Sequence, residues 1–473
     1  MTPAQHRVPL SAKLAYGTGA IAYGIKDNGF STFLLIFYNQ VIGLPAATVS
    51  LVIAIALVFD AMIDPVLGVV SDRTHTRWGR RHPWLYGSAL PIGLTWLLLW
   101  YPPQGNEVLT LAWLGVVAVL TRAAIATNEV PSLAMAPEMT PDYDERTSVL
   151  RWRYLFGWVG GLGMLMAAYG LFLRDLSSGP AALPGYQAYG VAGAFIMTLT
   201  VLISAAGTHR LYAKPPVQRI AHHSVGQVLR GMRETLSNRA FVILMLSGIF
   251  GYTNQYLGFA MSQYNLTFVW QFDPTQFIKY GVALIIGALV AFFLVTPVTR
   301  IFGKVKGAAL VTFLSVVFTT MPYWLRLAGV LPPPGTSQLL YVFLLINTTG
   351  VALGIAAMII GASMMSDVVE DAEEKTGRRE EGLFFAGTLF MQKVSSGIGV
   401  VLSGIILTIA EFPRAAKVGQ VSAQIIDNYT LILAATSLTL STIAALVFLR
   451  YPFGREEHEA RVARLREGLG KAG

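Results

Sequence analysis

Long apolar stretches alternate with short polar connections along the whole chain of 473 residues. Most stretches reach the roughly 20 residues that a helix needs to cross about 30 Å of hydrocarbon. Backbone amides find no water there, so they must be paired within the segment, as in a helix. The pattern therefore predicts twelve transmembrane helices, at residues 13–43, 47–72, 83–102, 107–136, 145–173, 187–210, 240–270, 276–300, 306–328, 338–367, 382–410 and 425–450.

A polar stretch, YAKPPVQRIAHHSVGQVLRGMRETLSNR, separates the sixth predicted span from the seventh. It divides the chain into two groups of six spans. We therefore predict an all-α membrane protein whose N-terminal half is residues 1–211 and whose C-terminal half is residues 240–450. Residues 212–239 then form a middle loop, and residues 451–473 form a tail.

Composition and charge agree with a membrane protein. Charged residues make up 13% of the chain, where a soluble domain has about 25%. The net charge is +9, and its cations fall in every second connection, among them RTHTRWGRRH, GKVKG and KTGRR. By the positive-inside rule, these connections and both termini face the cytoplasm of a plasma membrane, the inner membrane of a bacterium. The cations lie in short loops rather than on one soluble face, so we expect a lipid bilayer and no nucleic acid as partner. We also expect a monomer.

Several function classes lack support in the sequence. The chain has no cysteine, which excludes disulfides and thiolate metal sites. It has no HExxH or GxSxG motif, and its glycine-rich runs lack the Lys-Ser/Thr ending of a phosphate loop. We therefore expect no enzyme, no cofactor and no metal beyond a possible coupling Na⁺. A non-transporting receptor should carry a sizeable soluble output domain, and the predicted tail, residues 451–473, is too short to be one. A transporter of small molecules is therefore the favoured interpretation.

Ionisable residues inside apolar spans are the candidate chemistry. Asp60 and Asp64 lie one turn apart on the same face of the second span. Such residues nearly always face a polar interior and take part in ion or proton pathways. Glu129, Arg153 and Lys393 also lie inside apolar spans. A structural network, in which the bases neutralise the acids, remains the alternative for these residues.

Three segments carry a family resemblance: FDAMIDPVLGVVSDRTHTRWGRRHPW, VPSLAMAPEMTPDYDERTSVLRWRYLF and EGLFFAGTLFMQK. They resemble the glycoside-pentoside-hexuronide cation symporters of the major facilitator superfamily, the family of the melibiose permease. The resemblance covers essentially the whole chain. It implies the major facilitator fold, with two pseudo-symmetric halves, and cation-coupled symport of a sugar, glycoside or related small polar solute by alternating access. Animal lysophospholipid transporters belong to the same wider group, so an amphiphilic substrate such as a lysolipid stays open.

The resemblance also implies roles for individual residues. It assigns the coupling cation to Asp60 and Asp64. The substrate-site residues are Glu129, Arg153 and Lys393, with Asp27, one turn beyond the family's first-helix acid position at Gly24, and the aromatic Tyr256 as further candidates. The loop between helices two and three matches the family's cytoplasmic latch, in which Gly68 permits close helix approach and the helix ends are held by Asp72, Arg73, Arg80 and Arg81.

Departures from the family bear on the ion and the substrate. Ile63 and Ala126 stand where the melibiose permease has two oxygen-bearing sodium ligands, which leaves Thr127 and Asn128 as nearby candidates. A proton needs only a carboxylate to bind, and it can be shared between Asp60 and Asp64. We therefore expect H⁺ in preference to Na⁺ as the coupling ion. Leu133 and Met358 replace two sugar-stacking aromatics, which argues against a galactoside site as such.

Overall fold

The computed structural model describes residues 7–140, 142–173, 180–213, 238–376 and 381–452. These residues are helical apart from short connections, one of which contains an isolated bridge between Thr76 and Gly79. Most of the predicted middle loop and nearly all of the predicted tail lie outside the described residues.

The helices follow the predicted order. The N-terminal half contains α1 (Leu10–Thr18), α2 (Ala20–Asn28), α3 (Leu34–Ile36), α4 (Ala46–Asp72), α5 (His82–Leu99), α6 (Glu107–Met139), α7 (Tyr143–Ala167) and α8 (Leu183–Tyr212). The C-terminal half contains α9 (Arg239–Tyr264), α10 (Pro274–Leu327), α11 (Ser337–Thr376), α12 (Glu381–Ile409) and α13 (Ala423–Phe448). Short π-helical segments lie at Gly29–Phe33, Phe37–Val41, Ala168–Phe172 and Asn265–Val269, and a 3₁₀ turn at Pro180–Ala182.

The all-α membrane architecture is confirmed. Within the described residues, nine helices are long and apolar enough to cross a membrane. One of them, α10, covers the eighth and ninth predicted spans. The two spans are separated by a kink at Gly303, whose φ of 72° and ψ of 170° are not helical. The first predicted span corresponds to α1, α2 and α3 with their π-helical segments. The tenth was predicted too short, because α11 continues to Thr376.

Polar side chains fix where several helices begin. Asn106, Asn238 and Ser422 each accept a hydrogen bond from a backbone N–H in the first turn of α6, α9 and α13. Asp273 and Gln276 form a complete capping box at the start of α10. Each cap satisfies amides that have no partner within the helix, and such a cap typically stabilises a helix by about 1 kcal/mol.

The two halves pack together at one end of the molecule. A single apolar core there contains Phe37 and Trp100 of the N-terminal half together with Tyr264 and Phe412 of the C-terminal half. Hydrogen bonds cross the same boundary, from Tyr264 Oη to Asn39 Oδ1 at 2.8 Å. We call this the closed end.

The opposite end carries both described termini, and we call it the termini end. Its apolar side chains form two separate cores. One surrounds Tyr16 and Met135 in the N-terminal half, and the other surrounds Phe241 and Met364 in the C-terminal half. The halves are thus joined at the closed end, and their cores do not meet at the termini end.

Candidate functional site

Asp60 and Asp64 lie near the middle of the molecule, on the face of α4 that meets α12. Asp60 Oδ2 forms an ion pair with Lys393 Nζ at 2.8 Å and a second one with Arg122 Nη2. Lys393 Nζ also donates a hydrogen bond to Asp64 Oδ2. The ammonium of Lys393 therefore lies between the two carboxylates. The predicted sharing of a proton between Asp60 and Asp64 does not describe this conformation.

Arg122 was not singled out from the sequence. It lies on α6, its side chain is only 5% exposed, and its guanidinium covers the ring of Phe30 at 5.2 Å. The signal was available, because Arg122 is a cation inside the apolar span predicted at 107–136, as Lys393 is inside its own span. The predicted network of Asp60, Asp64 and Lys393 therefore gains a fourth member.

A second group of charges links α2 to α6. Lys26 Nζ lies 3.1 Å from Glu129 Oε2 and 3.1 Å from Asp27 Oδ1. Asp27 and Glu129 were predicted for the substrate site, and the structure brings them together. Lys26 was missed, although it too is a cation inside a predicted span.

Arg153 is buried beside this group. Its Nη1 donates a hydrogen bond to Ser132 Oγ at 2.7 Å, and its Nη2 donates a longer one to the Glu129 carbonyl oxygen at 3.5 Å. The guanidinium also covers the ring of Tyr23 at 4.7 Å. Hydroxyl, carbonyl and aromatic groups thus hold Arg153 in a fixed position next to Glu129.

We define the central charge cluster as these eight side chains. The two groups meet on α6, where Arg122 of the first group and Glu129 of the second lie about two helical turns apart. The cluster contains as many acids as bases, because Lys26 and Arg122 join the predicted Arg153 and Lys393. Its members are Lys26, Asp27, Asp60, Asp64, Arg122, Glu129, Arg153 and Lys393.

Acids lie in front of bases in the N-terminal part of the cluster. The side chains of Asp27, Glu129 and Asp64 are 68%, 34% and 31% exposed. Those of Lys26 and Arg122 are each 5% exposed. Water therefore reaches the middle of the molecule, where it meets carboxylates first. A joined core covers the closed end, whereas the cores formed by the described residues are separate at the termini end.

The predicted sodium ligands beyond the acids, Asn128 and Thr127, make hydrogen bonds within the N-terminal half. Asn128 Oδ1 accepts a hydrogen bond from Tyr23 Oη at 2.5 Å, while Asn128 Nδ2 donates to Ser88 Oγ at 2.8 Å. Thr127 Oγ1 donates to the carbonyl oxygen of Ala124, within its own helix, at 2.6 Å. In this conformation the Asn128 amide is committed to α2 and α5.

The predicted aromatic contributor from the C-terminal half is Tyr256 on α9. Its helix packs against the π-helical segment Gly29–Phe33 of the N-terminal half, directly after the end of α2 that carries Asp27. Leu133 and Met358, at the family's stacking positions, are 39% and 41% exposed. The structure thus brings Tyr256 to the charges and leaves two flexible apolar side chains accessible.

The predicted latch centres on Arg81. Its guanidinium contacts Asp72 Oδ1 at 2.5 Å, Ser71 Oγ at 2.8 Å and Glu138 Oε1 at 2.9 Å. Arg80 contacts the same oxygen of Glu138 at 2.9 Å. The latch therefore ties the ends of α4, α5 and α6 together within one half, and Glu138 is the member that the sequence analysis did not name.

Two latch residues differ from expectation. A Cβ placed on Gly68 would meet Val130 Cγ1 at 3.8 Å, an ordinary contact, so the helix approach in this conformation does not require glycine there. Arg73 contributes its carbonyl oxygen to a contact with His75 Nδ1 at 2.7 Å.

Comparisons with known proteins agree with this architecture. The family model described as "MFS/sugar transport protein" matches residues 15–455. The inner membrane symporter YicJ of Escherichia coli is 26% identical over 92% of this chain and 90% of that protein. The isoprimeverose transporter of Lactiplantibacillus pentosus is 23% identical over 94% and 89%. The sodium-dependent lysophosphatidylcholine symporter 1-A of Danio rerio is 23% identical over 95% and 86%.

Solved structures show the same fold. A bacterial homologue of the human lysosomal transporter Spinster, solved in an inward-facing and unoccupied conformation, matches with a TM-score of 0.64. The match covers 94% of this chain and 98% of that chain at 14% sequence identity. Identity at this level speaks to the fold alone.

Proposed function

Because the chain belongs to the MFS/sugar transport protein family and is a multi-pass membrane transporter rather than an enzyme, we propose that it is a cation-coupled symporter for a neutral, hydroxyl-rich solute such as a sugar or glycoside. The two halves rock about the central charge cluster in alternating access. The cationic connections RTHTRWGRRH and GKVKG lie at the termini end, so this end faces the cytoplasm, as do both termini.

The observation that carries the proposal is the position of Lys393. This residue belongs to the C-terminal half, while Asp60 and Asp64 belong to the N-terminal half. With no cation bound, the lysine neutralises the acids. A coupling cation that arrives from the other side of the membrane takes over this role. A charged centre without a partner is costly to enclose. The conformational change is therefore favoured when the transporter is either empty or fully loaded, and disfavoured when only one of substrate and cation is bound.

The exposed carboxylates favour a neutral substrate that is rich in hydroxyl groups. Ionised Asp27 and Glu129 can only accept hydrogen bonds, and sugar hydroxyls donate them. The same carboxylates repel an anionic substrate that enters from the termini end. Tyr256 supplies an aromatic ring on the opposite half.

One observation favours a second candidate, transport of an amphiphile such as a lysolipid. The accessible side chains of Leu133 and Met358 offer apolar contacts where a sugar transporter of this kind has aromatic rings. An acyl chain packs against such flexible side chains readily.

The proposed coupling ion is the proton. A sodium site needs several oxygen ligands besides Asp60 and Asp64. Ile63 and Ala126 provide none from their side chains, and the Asn128 oxygen is held by Tyr23. A carboxylate alone is sufficient to bind a proton.

Reconstitution into proteoliposomes tests both the substrate and the ion. The probes are isoprimeverose, glucuronate and lysophosphatidylcholine, each offered under an inward pH gradient or, at equal pH, an inward sodium gradient with the membrane potential clamped. We expect accumulation of the neutral sugar under the pH gradient, little response to sodium, and no accumulation of glucuronate. Uptake driven by the sodium gradient alone would contradict the proton as the coupling ion. Accumulation of lysophosphatidylcholine and of neither sugar would contradict a sugar as the substrate.

A matched pair of variants controls for folding. Asp64→Asn should abolish accumulation, because the cluster loses its exposed cation-binding carboxylate. Asp427→Asn removes a carboxylate that pairs with Arg326 at 2.5 Å, outside the central charge cluster, and should accumulate like the unmodified chain.

A further inference from the structure

We propose that Arg122 is a resident counter-cation of Asp60, so that Asp64 is the one acid of the pair that exchanges Lys393 for the coupling ion. This inference rests on the proposed function and deepens it. The family resemblance assigns the coupling cation to both acids, and the structure gives them different partners.

The two carboxylates have unequal surroundings. The side chain of Asp60 is 4% exposed, and its Oδ2 contacts both Arg122 and Lys393. The side chain of Asp64 is 31% exposed. Its Oδ2 contacts Lys393, and its Oδ1 is buried with no hydrogen-bond partner among the described residues. Asp64 therefore combines access to water with an unused oxygen.

Charged groups approach the pair from three neighbouring helices. Asp60 interacts with Lys26 of α2, Arg122 of α6 and Lys393 of α12. Asp64 interacts with Lys393, with Asp60 on its own helix and with Glu129 of α6. Within the described part of the chain, Asp60 thus forms ion pairs with two cations, while Asp64 forms one with Lys393 alone.

The location of each cation in the fold separates their roles. Arg122 is on α6, which packs against α4 within the N-terminal half. Lys393 is on α12, in the other half. Rocking of the halves can carry Lys393 away from the acids, whereas Arg122 and Asp60 move together as parts of one body.

Arg122 also has no means of releasing Asp60. An arginine side chain keeps its charge throughout the accessible pH range. The guanidinium is enclosed against Phe30 and almost fully buried. Separating a buried ion pair leaves two uncompensated charges in a poorly solvated environment, which disfavours release of Asp60 during the cycle.

Charge counting then gives the number of ions. Asp60 and Asp64 carry two negative charges, which Arg122 and Lys393 balance. When Lys393 withdraws, Arg122 still balances Asp60, and a single negative charge remains at Asp64. One monovalent cation restores neutrality, so this pair binds one coupling ion in each cycle.

Infrared difference spectroscopy tests the assignment without a transport substrate. The probe is the proton: spectra of the full chain in lipid nanodiscs are recorded between high and low pH, and the band of protonated carboxyl groups is compared among variants. We expect Asp64→Asn to lose one carboxyl group from this band. The double variant D60N/R122Q, in which a buried pair is replaced by neutral amides, should keep it.

Variants of Arg122 itself sharpen the test. Arg122→Gln leaves Asp60 and Asp64 to share Lys393, so it should add one carboxyl group to the band, whereas Arg122→Lys keeps the charge and should restore the original intensity. Arg326→Gln breaks an arginine–aspartate pair outside the central charge cluster and controls for the removal of an arginine. It should leave the intensity assigned to Asp64 unchanged.

The inference is overturned if D60N/R122Q loses the carboxyl group that Asp64→Asn retains, or if Arg122→Gln adds none. Should Arg122→Gln fail to fold, the comparison of D60N/R122Q with Asp64→Asn still decides, because the double variant leaves no unpaired charge. A band that is the same in all variants contradicts proton coupling itself, and thus the proposed function. Failure to accumulate any sugar leaves the spectroscopic result in place.

Discussion

The two halves resemble each other at the termini end and differ in the middle. At the termini end each half has a buried or half-buried ion pair: Arg81 with Glu138 at 2.9 Å in the N-terminal half, and Lys304 with Asp367 at 2.7 Å in the C-terminal half. In the central charge cluster the division is unequal. Among the described residues, Lys393 is the one member that comes from the C-terminal half.

This asymmetry indicates how the halves share the work. Charges that lie within one body keep their mutual distances when that body moves, so they shape a binding site without driving the motion. Lys393 is different, because its distance to Asp60 and Asp64 changes when the halves rock. The electrostatic energy that depends on conformation is therefore concentrated in one side chain.

The largest expected effect comes from the charge that crosses between the halves. Lys393→Ala should reduce driven accumulation of the substrate to equilibration, because unloaded Asp64 then lacks a neutralising partner. The measurement is uptake into proteoliposomes under an inward pH gradient. Lys279→Ala is the control, since Lys279 contacts the ring of Tyr341 at 5.7 Å, outside the cluster. Accumulation by Lys393→Ala at the level of the control variant would show that the asymmetry has no role in coupling.

The next prediction concerns the rigidity of the N-terminal half. A Cβ at Gly24 would lie 2.0 Å from the carbonyl oxygen of Gly157 and 2.7 Å from the amide nitrogen of Gly161. Gly24→Ala should therefore force α2 and α7 apart and destabilise the fold by about 1–3 kcal/mol. The same clash explains why this chain has no first-helix acid at the family's position.

Thermal unfolding in detergent measures this effect, with Gly163→Ala as the matched control. A Cβ at Gly163, also on α7, meets nothing within 4 Å. Equal melting temperatures for the two variants would mean that the contact between α2 and α7 is loose, and that the N-terminal half does not behave as one body.

An effect of similar size is expected where the halves meet. A Cβ at Gly404 of α12 would lie 2.0 Å from Ser50 Oγ and 2.7 Å from the carbonyl oxygen of Ala46, close to the closed end. Gly404→Ala should loosen that end and shift the population towards the conformation in which the closed end is open and the termini end is closed. A differential energy of about 1–3 kcal/mol corresponds to a shift of about 5–150-fold.

Spin labels can report this shift, because the chain has no cysteine of its own. Cysteines at the exposed positions of Arg77 and Ile301 place one label on each half at the termini end. The distance between them should shorten in Gly404→Ala and stay constant in Gly251→Ala, where a Cβ meets nothing within 4 Å. A constant distance in both variants would show that packing at the closed end does not set the conformation.

The smallest effect belongs to the latch. Glu138 is 32% exposed, so its ion pairs with Arg80 and Arg81 are screened by solvent. Glu138→Gln should lower stability by at most about 1 kcal/mol, and high salt should remove the difference. Thermal unfolding at low and high salt measures it, with Glu107→Gln, whose partner Arg414 is 3.8 Å away, as the control. A large, salt-independent loss would assign the latch a structural role equal to that of the cluster.

The sequence by itself determined the helices and most of the cluster. Apolar length fixes a transmembrane span locally, which is why most predicted spans match single described helices. The exceptions are the first span, which is divided among α1, α2 and α3, and the eighth and ninth, which both lie in α10. An ionisable residue in such a span is conspicuous for the same reason, and this rule marked Asp60, Asp64, Glu129, Arg153 and Lys393. Applied to every span, it would also have marked Lys26 and Arg122.

Only the tertiary structure decided which acid pairs with which base. Arg122 and Asp60 are 62 positions apart in the chain, and Lys393 and Asp64 are 329 apart. No local pattern encodes such a pairing, because it depends on how α4, α6 and α12 pack against one another. That packing depends in turn on contacts such as Gly404 of α12 against Ser50 of α4. Such a contact requires the surfaces of both helices to be complementary, which neither segment determines alone. The different surroundings of Asp60 and Asp64, one helical turn apart, arise from that packing.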